Sequence, residues 1–425
     1  MVNVAVIGTG VGGCSAAYFT RNYLSDPKIT VYEADNRISG RVMTYRGNGI
    51  QKELGAEFFN FSNPIVSVLI EKLGLETKKL EDVKGLAVWN GTEVIFQSGQ
   101  SLFYKMLALV NNYKLAVPKL LYDLKKSERN IKKLYKEQQK SPAEFWEIFK
   151  RVGLDKYYQN RFDKILEKKG IDSSFIDELI TPITRIIYSQ NAELGGFAGL
   201  IALLGVYSQA MYNIKDGNDV FPKKLLEASD SAVELNSKVT AVEKRSDGSF
   251  RVHTGERDSI FDAVIVAAPL EVAKISFDGL TVPEMPVREY QRIYVKLMKG
   301  QVNPRFFNLD SAKLPSIVLT SQEADPLTRF SINDSTKRGE SWVTVTSTEP
   351  LDGGFVDELF KNGETVLDHS WAAAYPVFKP TEKLPNMFLD DRLVYVNAVE
   401  SSASSMESSS FAALNCVQAI KEQLG

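Results

Sequence analysis

The sequence predicts an α/β protein, and three stretches carry that expectation. Val2-Asn3-Val4-Ala5-Val6-Ile7 is an apolar run that enters Gly8-Thr9-Gly10-Val11-Gly12-Gly13 and continues into Cys14-Ser15-Ala16-Ala17-Tyr18, the order of strand, glycine turn and helix. Lys28-Ile29-Thr30-Val31-Tyr32 gives a second strand ending at Glu33, and residues 263–267 form a third apolar run closed by Ala268-Pro269. Together they predict a Rossmann-like nucleotide-binding domain of three layers, ββα. Gly8 takes the tight turn, Gly10 lets the backbone approach a pyrophosphate, and Gly13 lets the helix pack on the strand while its N–H groups face the anion. Glu33 stands where an acid accepts the ribose hydroxyls, about twenty residues beyond the glycines.

Composition sets the outer bounds. A chain of 425 residues, 44% hydrophobic and 24% charged with net charge −2, buries a large core, forms two or three domains and is soluble and globular. No nucleic-acid partner is expected. Two cysteines give no disulfide framework and no cysteine metal site; Cys14 is expected under the glycine turn and Cys416 on a terminal helix. Met1 leads straight into the first strand with no secretory signal before it, so the protein is expected either to be intracellular or to have had a leader removed, and the compartment is open. Sequons at Asn60, Asn90 and Asn333 do not fix the compartment.

Along the chain, residues 64–75 have the apolar spacing of an amphipathic helix, and residues 85–96 read as two short strands around Asn90-Gly91. Residues 101–170 are helical in pattern, interrupted at Pro118 and Pro142. Between Lys114 and Lys169 there are 16 Lys or Arg against 8 Asp or Glu, so this region departs from the rest of the chain; it reads first as a solvated helical face whose leucines, tyrosines and phenylalanines look inward, and second as a face for peripheral contact with an anionic membrane surface. Residues 194–212 carry no charge over 19 positions, the length at which a membrane span is considered; four glycines, Ser208 and Gln209 favour a buried helix beside an apolar ligand cavity. Asp216-Gly217-Asn218 turns into a helix over 221–228. Strands are expected over 238–242, 250–253, 290–300, 341–348 and 393–400, with an aromatic bend over 371–376. A serine-rich loop through Met406 precedes a final helix over 407–424.

This order assembles the nucleotide domain from residues 1–63, 213–285 and 385–425, with a substrate domain of mixed sheet and helices from 64–212 and 286–384. After Glu33-Ala34 come Arg37-Ile38-Ser39-Gly40-Arg41-Val42-Met43-Thr44 and Glu53-Leu54-Gly55-Ala56-Glu57. They resemble the second FAD signature of the flavin amine oxidase superfamily, with Ser39 in place of the first of two paired glycines. The resemblance implies FAD, held without a covalent bond by Gly8, Gly10, Gly12, Gly13, Glu33, Ala34, Gly40, Arg41, Thr44, Gly55, Ala56 and Glu57. It also implies Val239 at the adenine, Ala268 and Pro269 near the cofactor, and Glu400, Ser405 and Met406 at the strand-to-helix junction facing the flavin.

Within that superfamily the chain resembles the prenylcysteine oxidase, or prenylcysteine lyase, family. The resemblance rests on the first glycine motif, Tyr188-Ser189-Gln190-Asn191, the 199–217 region, Ala374-Tyr375-Pro376 with Lys379-Pro380, and Glu400-Ser401-Ser402-Ala403-Ser404-Ser405-Met406-Glu407. It implies an oxidase that converts S-farnesyl- or S-geranylgeranyl-cysteine, water and O2 into prenyl aldehyde, cysteine and hydrogen peroxide. Such chemistry requires no nucleophilic side chain, in keeping with a chain whose only histidines are His253 and His369. Lys296, His369 and Glu57 are candidates for guiding water. Two other readings stand beside it: an amine or polyamine oxidase using Lys296 with Trp371 and Tyr375, and a flavin-bound interaction protein without turnover. No metal site is expected, and the oligomeric state is open.

Overall fold

A computed structural model describes the chain apart from residues 61, 81–84, 99–115, 208–209, 256, 311–313 and 336–338. Its central sheet has six strands in the order Phe388–Asp390, Leu393–Tyr395, Ala263–Val266, Val2–Ile7, Pro27–Tyr32 and Ala232–Glu234. All neighbours run parallel except the edge pair at Phe388–Asp390. Val4 to Val6 and Ala263 to Val266 are wholly buried, as befits parallel strands covered on both faces. The helices Val11–Tyr23 and Met406–Leu424 form one covering layer, joined where Ser15 Oγ lies 3.0 Å from Ser410 Oγ. The other layer is a four-stranded sheet of Asp258–Phe261, Phe250–Thr254, Val239–Lys244 and Ser276–Asp278, whose Phe261 ring meets Tyr32 edge-on at 6.1 Å.

A second sheet has seven strands, in the order Phe360–Pro376, Tyr290–Val302, Ser341–Ser347, Leu327–Ser335, Ile317–Thr320, Leu86–Trp89 and Val94–Ser98. One face carries Trp89, Phe330 and Val345, which pack against Phe307 of the turn Pro304–Phe307 and the helix Gly353–Leu359. The other meets Leu54, Met43 and Tyr45 of the segment that holds the Thr44–Gly47 and Ile50–Glu53 hairpin.

Several sequence expectations change. The bend over 371–376 is the end of the Phe360–Pro376 strand, with the turn of the chain absorbed by a bulge opposite Gln291 and Ile293. The strand expected over 393–400 stops at Tyr395, and Val396–Ser401 is a 3-10 turn that prepares the final helix. Met406 belongs to that helix, because Ser405 caps it together with Ser408 in a reciprocal pair of hydrogen bonds. Pro118 does not interrupt a helix: it sits in the first turn of Ala116–Gln138, where an N–H has no helical partner to lose. Residues 101–115 of the expected helical stretch lie outside the described residues.

The uncharged stretch forms the 12-residue helix Gly196–Tyr207. Two of its three glycines are approach points, since a Cβ on Gly196 would stand 2.6 Å from Tyr157 O and one on Gly199 2.2 Å from the Phe162 ring, whereas one on Gly205 would meet nothing within 4 Å. Among the described residues no helix is long and apolar enough to cross a membrane.

Candidate cofactor and substrate site

At the C-terminal end of Val2–Ile7 the three glycines divide the work. Gly8 has φ +107, and a side chain there would press on Ala267 O at 2.8 Å. A Cβ on Gly13 would lie 1.9 Å from Gly8 O, so the helix rests directly on the turn. A Cβ on Gly10 would meet nothing within 4 Å. Gly10 therefore keeps clear a space facing the uncapped start of Val11–Tyr23, the geometry that admits a pyrophosphate. Gly12 faces Val396 and Ser409, which brings the capped start of Met406–Leu424 beside the same turn. Cys14 lies where expected, its Sγ 3.2 Å from Thr9 O, and burial pushes its thiol well up.

Glu33 bends back to this turn, where its Oε2 accepts from Thr9 N at 2.9 Å and Thr9 Oγ1 at 2.5 Å, and its Oε1 from Asp35 N at 3.0 Å. Ala34 follows it at the end of the strand. Ser237 N donates to Glu33 O at 2.8 Å, which sets the start of the strand bearing buried Val239 next to the acid. Ala268 stands 3.4 Å from the place of a Gly8 Cβ, and Pro269 starts the short helix Leu270–Ala273.

The Ser39-Gly40-Arg41 loop closes over the turn. Ser39 N donates to Thr9 O at 3.0 Å, and a Cβ on Gly40 would lie 2.9 Å from Gly10 Cα. Ser39 holds φ +96, a conformation suited to glycine, and its Oγ donates to Asp219 O at 3.1 Å. Gly55 packs against Arg41 O and the Trp371 ring, with no room for a side chain. Ala56 O and Glu57 O both accept from Asn218 Nδ2 at 2.9 Å, so the Asp216-Gly217-Asn218 turn positions this segment. Thr44 is otherwise engaged: its hydroxyl donates to Glu53 at 2.7 Å and accepts from Asp219 N.

Glu400 is a buried junction. It pairs with Arg41 at 2.5 Å and accepts from Tyr290 Oη at 2.9 Å, Asn397 Nδ2 at 3.0 Å and Ser404 Oγ at 3.0 Å. Burial works to raise its pKa, but the charges of Arg41 and Arg288 with the Asn397 and Arg41 hydrogen bonds hold it down at about 2. Glu407 serves the fold elsewhere, its carboxylate accepting Ile65 N at 3.0 Å and Val66 N at 2.8 Å and so capping the helix Pro64–Lys72.

On the substrate sheet, cross-strand register separates the catalytic candidates. His369, Val295, Thr346 and Arg329 lie in one row across four strands and so share a face. Arg329 forms a two-pronged ion pair with Glu57, which places this face against the Gly55-Ala56-Glu57 segment. Trp371 joins it, donating to Leu54 O at 2.8 Å beside His369, whose ring is 4.4 Å away. Burial first, and then the Arg37 charge, lower the His369 pKa; its Nε2 is buried with no hydrogen-bond partner among the described residues. Lys296 is next in sequence to Val295 and points to the opposite face, paired with Asp368 at 2.5 Å. Tyr375 packs edge-on against Tyr188 at 5.3 Å, and no ring contact among the described residues joins it to Trp371.

The Tyr188-Ser189-Gln190-Asn191 stretch is a clamp. Gln190 Nε2 donates to Pro376 O while its Oε1 accepts from Phe378 N, both at 2.9 Å, and buried Arg185 reaches Asn191, Thr320, Asp325 and Leu327. The sequence alone assigns no site role to Arg329, Asn218 or Tyr290. None sits in a recognisable motif, and their partners are distant in the chain.

The chain matches the prenylcysteine lyase family model over residues 96–424 and a model of NAD(P)-binding Rossmann-like domains over residues 6–73. It belongs to the prenylcysteine lyase family. The resemblance visible in the sequence is thereby borne out. Relatives include farnesylcysteine lyase of Arabidopsis thaliana, 27% identical over 98% of this chain and 87% of the relative. Prenylcysteine oxidase 1 of Homo sapiens is 26% identical over 97% of this chain and 87% of its own length. Among solved structures, cyclohexylamine oxidase of Brevibacterium oxydans superposes with TM-score 0.67 at 16% identity, covering 100% of this chain and 99% of that one. Putrescine oxidase bound to putrescine gives 0.63 at 16% identity, over 98% of each chain. These two share the fold.

Proposed function

We propose that this chain is an FAD-dependent thioether oxidase that cleaves S-prenyl-L-cysteine with water and O2 to prenyl aldehyde, cysteine and hydrogen peroxide. The observation that carries the reading is membership of the prenylcysteine lyase family over residues 96–424, with relatives named for farnesylcysteine and prenylcysteine. FAD fits the residues present: Gly10 leaves space before a helix start, Glu33 offers a carboxylate beside it, and Arg41 and Gly40 border the turn. Residues 1–63, 213–285 and 385–425 would hold the cofactor, and 64–212 with 286–384 the substrate. Both cysteines are buried, Cys14 against the turn and Cys416 in the final helix, which favours FAD held without a covalent bond.

FAD, when bound, supplies the two-electron acceptor and returns the electrons to O2. Positive charge developing on the prenyl carbon next to sulfur is shared by the sulfur and the allylic double bond. Water adds there, and the hemithioacetal collapses to aldehyde and thiol. The chain's part is to position the thioether and keep the site dry. His369, its pKa lowered by burial and its buried Nε2 without a hydrogen-bond partner among the described residues, lies on the face that bears Arg329 and suits guidance of the water better than Lys296, which is turned away. That orientation of Lys296 also counts against the amine oxidase reading.

The test is peroxide release in air and flavin bleaching without oxygen. Farnesylcysteine should exceed short S-alkyl cysteines by orders of magnitude, each buried methylene contributing about 0.8 kcal/mol. Spermine should fail, because its charges are costly to strip of water. Lys296→Met should leave thioether turnover unchanged. Equal reduction by spermine and farnesylcysteine, or none by any thioether, overturns the assignment.

A further inference from the structure

The helix Ala116–Gln138 has a surface that this reaction does not use. Its inner side is set by packing: Leu120, Leu124, Ser127, Leu134 and Gln138 are buried, with Ser127 Oγ 2.9 Å from Tyr157 Oη and Gln138 Nε2 donating to Phe411 O at 3.0 Å. The outer side carries Lys119, Tyr122, Lys126, Arg129, Lys133 and Lys136, all exposed. Their spacing alternates between three and four, so they form one straight stripe roughly 26 Å long. Acids on the helix are already engaged, Asp123 with Lys169 at 3.2 Å, Glu128 with Lys132 at 2.7 Å and Glu137 with Lys140. None of the stripe's five cations has an ion pair among the described residues.

We propose that this stripe docks the protein on an anionic lipid bilayer. Charge complementarity is the first reason. The chain's net charge is −2, whereas residues 114–169 hold 16 cations and 8 anions, so the rest of the protein is net negative and offers no such attraction to an anionic surface. The shape is the second, because a straight exposed row fits an extended flat partner. Tyr122, 69% exposed in the middle of the cations, is the third, since tyrosine rings settle at the headgroup level. Directly inside lies the uncharged helix Gly196–Tyr207, which packs against this one. The proposal rests on the thioether reading only for its purpose, access to a substrate that partitions into membranes.

The experiment is cosedimentation of the full chain, without substrate, with phosphatidylcholine vesicles and with vesicles that also contain phosphatidylserine. Binding should require phosphatidylserine and vanish at high salt. The variant Lys126→Glu/Arg129→Glu/Lys133→Glu should bind at least about tenfold more weakly, and the corresponding glutamine variant should fall between. Peroxide release from detergent-dispersed farnesylcysteine should be unaffected in both, which separates failure of docking from failure of the catalytic reading. No binding to phosphatidylserine vesicles, equal binding to neutral ones, unchanged binding by the glutamate variant, or tighter binding to an RNA oligonucleotide than to vesicles overturns the proposal.

Discussion

Gly10 and Gly13 are three residues apart and answer to different demands. A Cβ on Gly13 would overlap Gly8 O at 1.9 Å, a contact between two backbone segments that cannot yield without moving the helix off the strand. A Cβ on Gly10 meets nothing within 4 Å, and its φ of −66 suits any residue. Gly13→Ala should therefore destabilise the fold itself, by at least about 1–3 kcal/mol as for an overpacked core. Gly10→Ala should keep the melting temperature of the cofactor-free protein and lose about 1–3 kcal/mol of FAD affinity, because the space it fills is the one a pyrophosphate enters. Flavin titration and thermal melting of the two variants check this, and equal effects on both measurements would remove the distinction. These glycines were legible because the fingerprint has fixed spacing. Arg329 was not: its meaning comes from Glu57, 272 positions away in the chain.

At the scale of elements, periodicity found what was regular and missed what was short or packed by distant partners. Val2–Ile7, Val11–Tyr23 and Ala263–Val266 were visible from apolar runs bounded by glycine and proline. The strands Ile317–Thr320 and Leu327–Ser335 were not, since Ser316, Thr320, Thr328 and Ser331 break the apolar alternation and gain partners only in the sheet. The terminal Met-Glu was read as a family mark, and Glu407 proves to cap a helix more than three hundred residues earlier. Its pKa is raised by burial, with the Val66, Ile65 and Tyr135 hydrogen bonds opposing, so its loss strands buried donors. Glu407→Ala should cost about 2–4 kcal/mol, and Glu407→Gln less because one amide oxygen still accepts. Urea unfolding followed by tryptophan fluorescence gives both values, and an alanine cost no larger than the glutamine cost would argue against the cap.

Across the whole molecule, the cofactor layers and the substrate sheet are joined through charge. Arg41 reaches Glu400 and also donates to Ala374 O at 3.0 Å on the seven-stranded sheet, and Tyr290 of that sheet donates to Glu400. Glu400 is held at about 2, below the ordinary 4.5 of a glutamate, so its contribution is complete above pH 4.5 and is lost as pH falls toward 2. Asp219 acts in the same direction: burial raises its pKa, but hydrogen bonds from Arg46 and Lys223 bring it to about 2. Glu53 has the opposite sign. Burial lifts it to about 7 against the Thr44 and Asn218 hydrogen bonds, so its contribution is complete below pH 4.5 and is lost as pH rises through 7. Each shift corresponds to on the order of 1–3 kcal/mol. Stability of the purified chain should rise from pH 2 to about 4.5 and then decline toward pH 7, the first limb belonging to Glu400 and Asp219 and the second to the buried carboxyls whose pKa is raised, Glu53 of the Thr44–Glu53 hairpin together with Glu407 and Glu144. Glu53→Gln should make the second limb shallower and leave the first, as read from thermal midpoints across that range. A decline of the same size in both proteins would assign the second limb to some other group and separate the hairpin from the pH response of the fold.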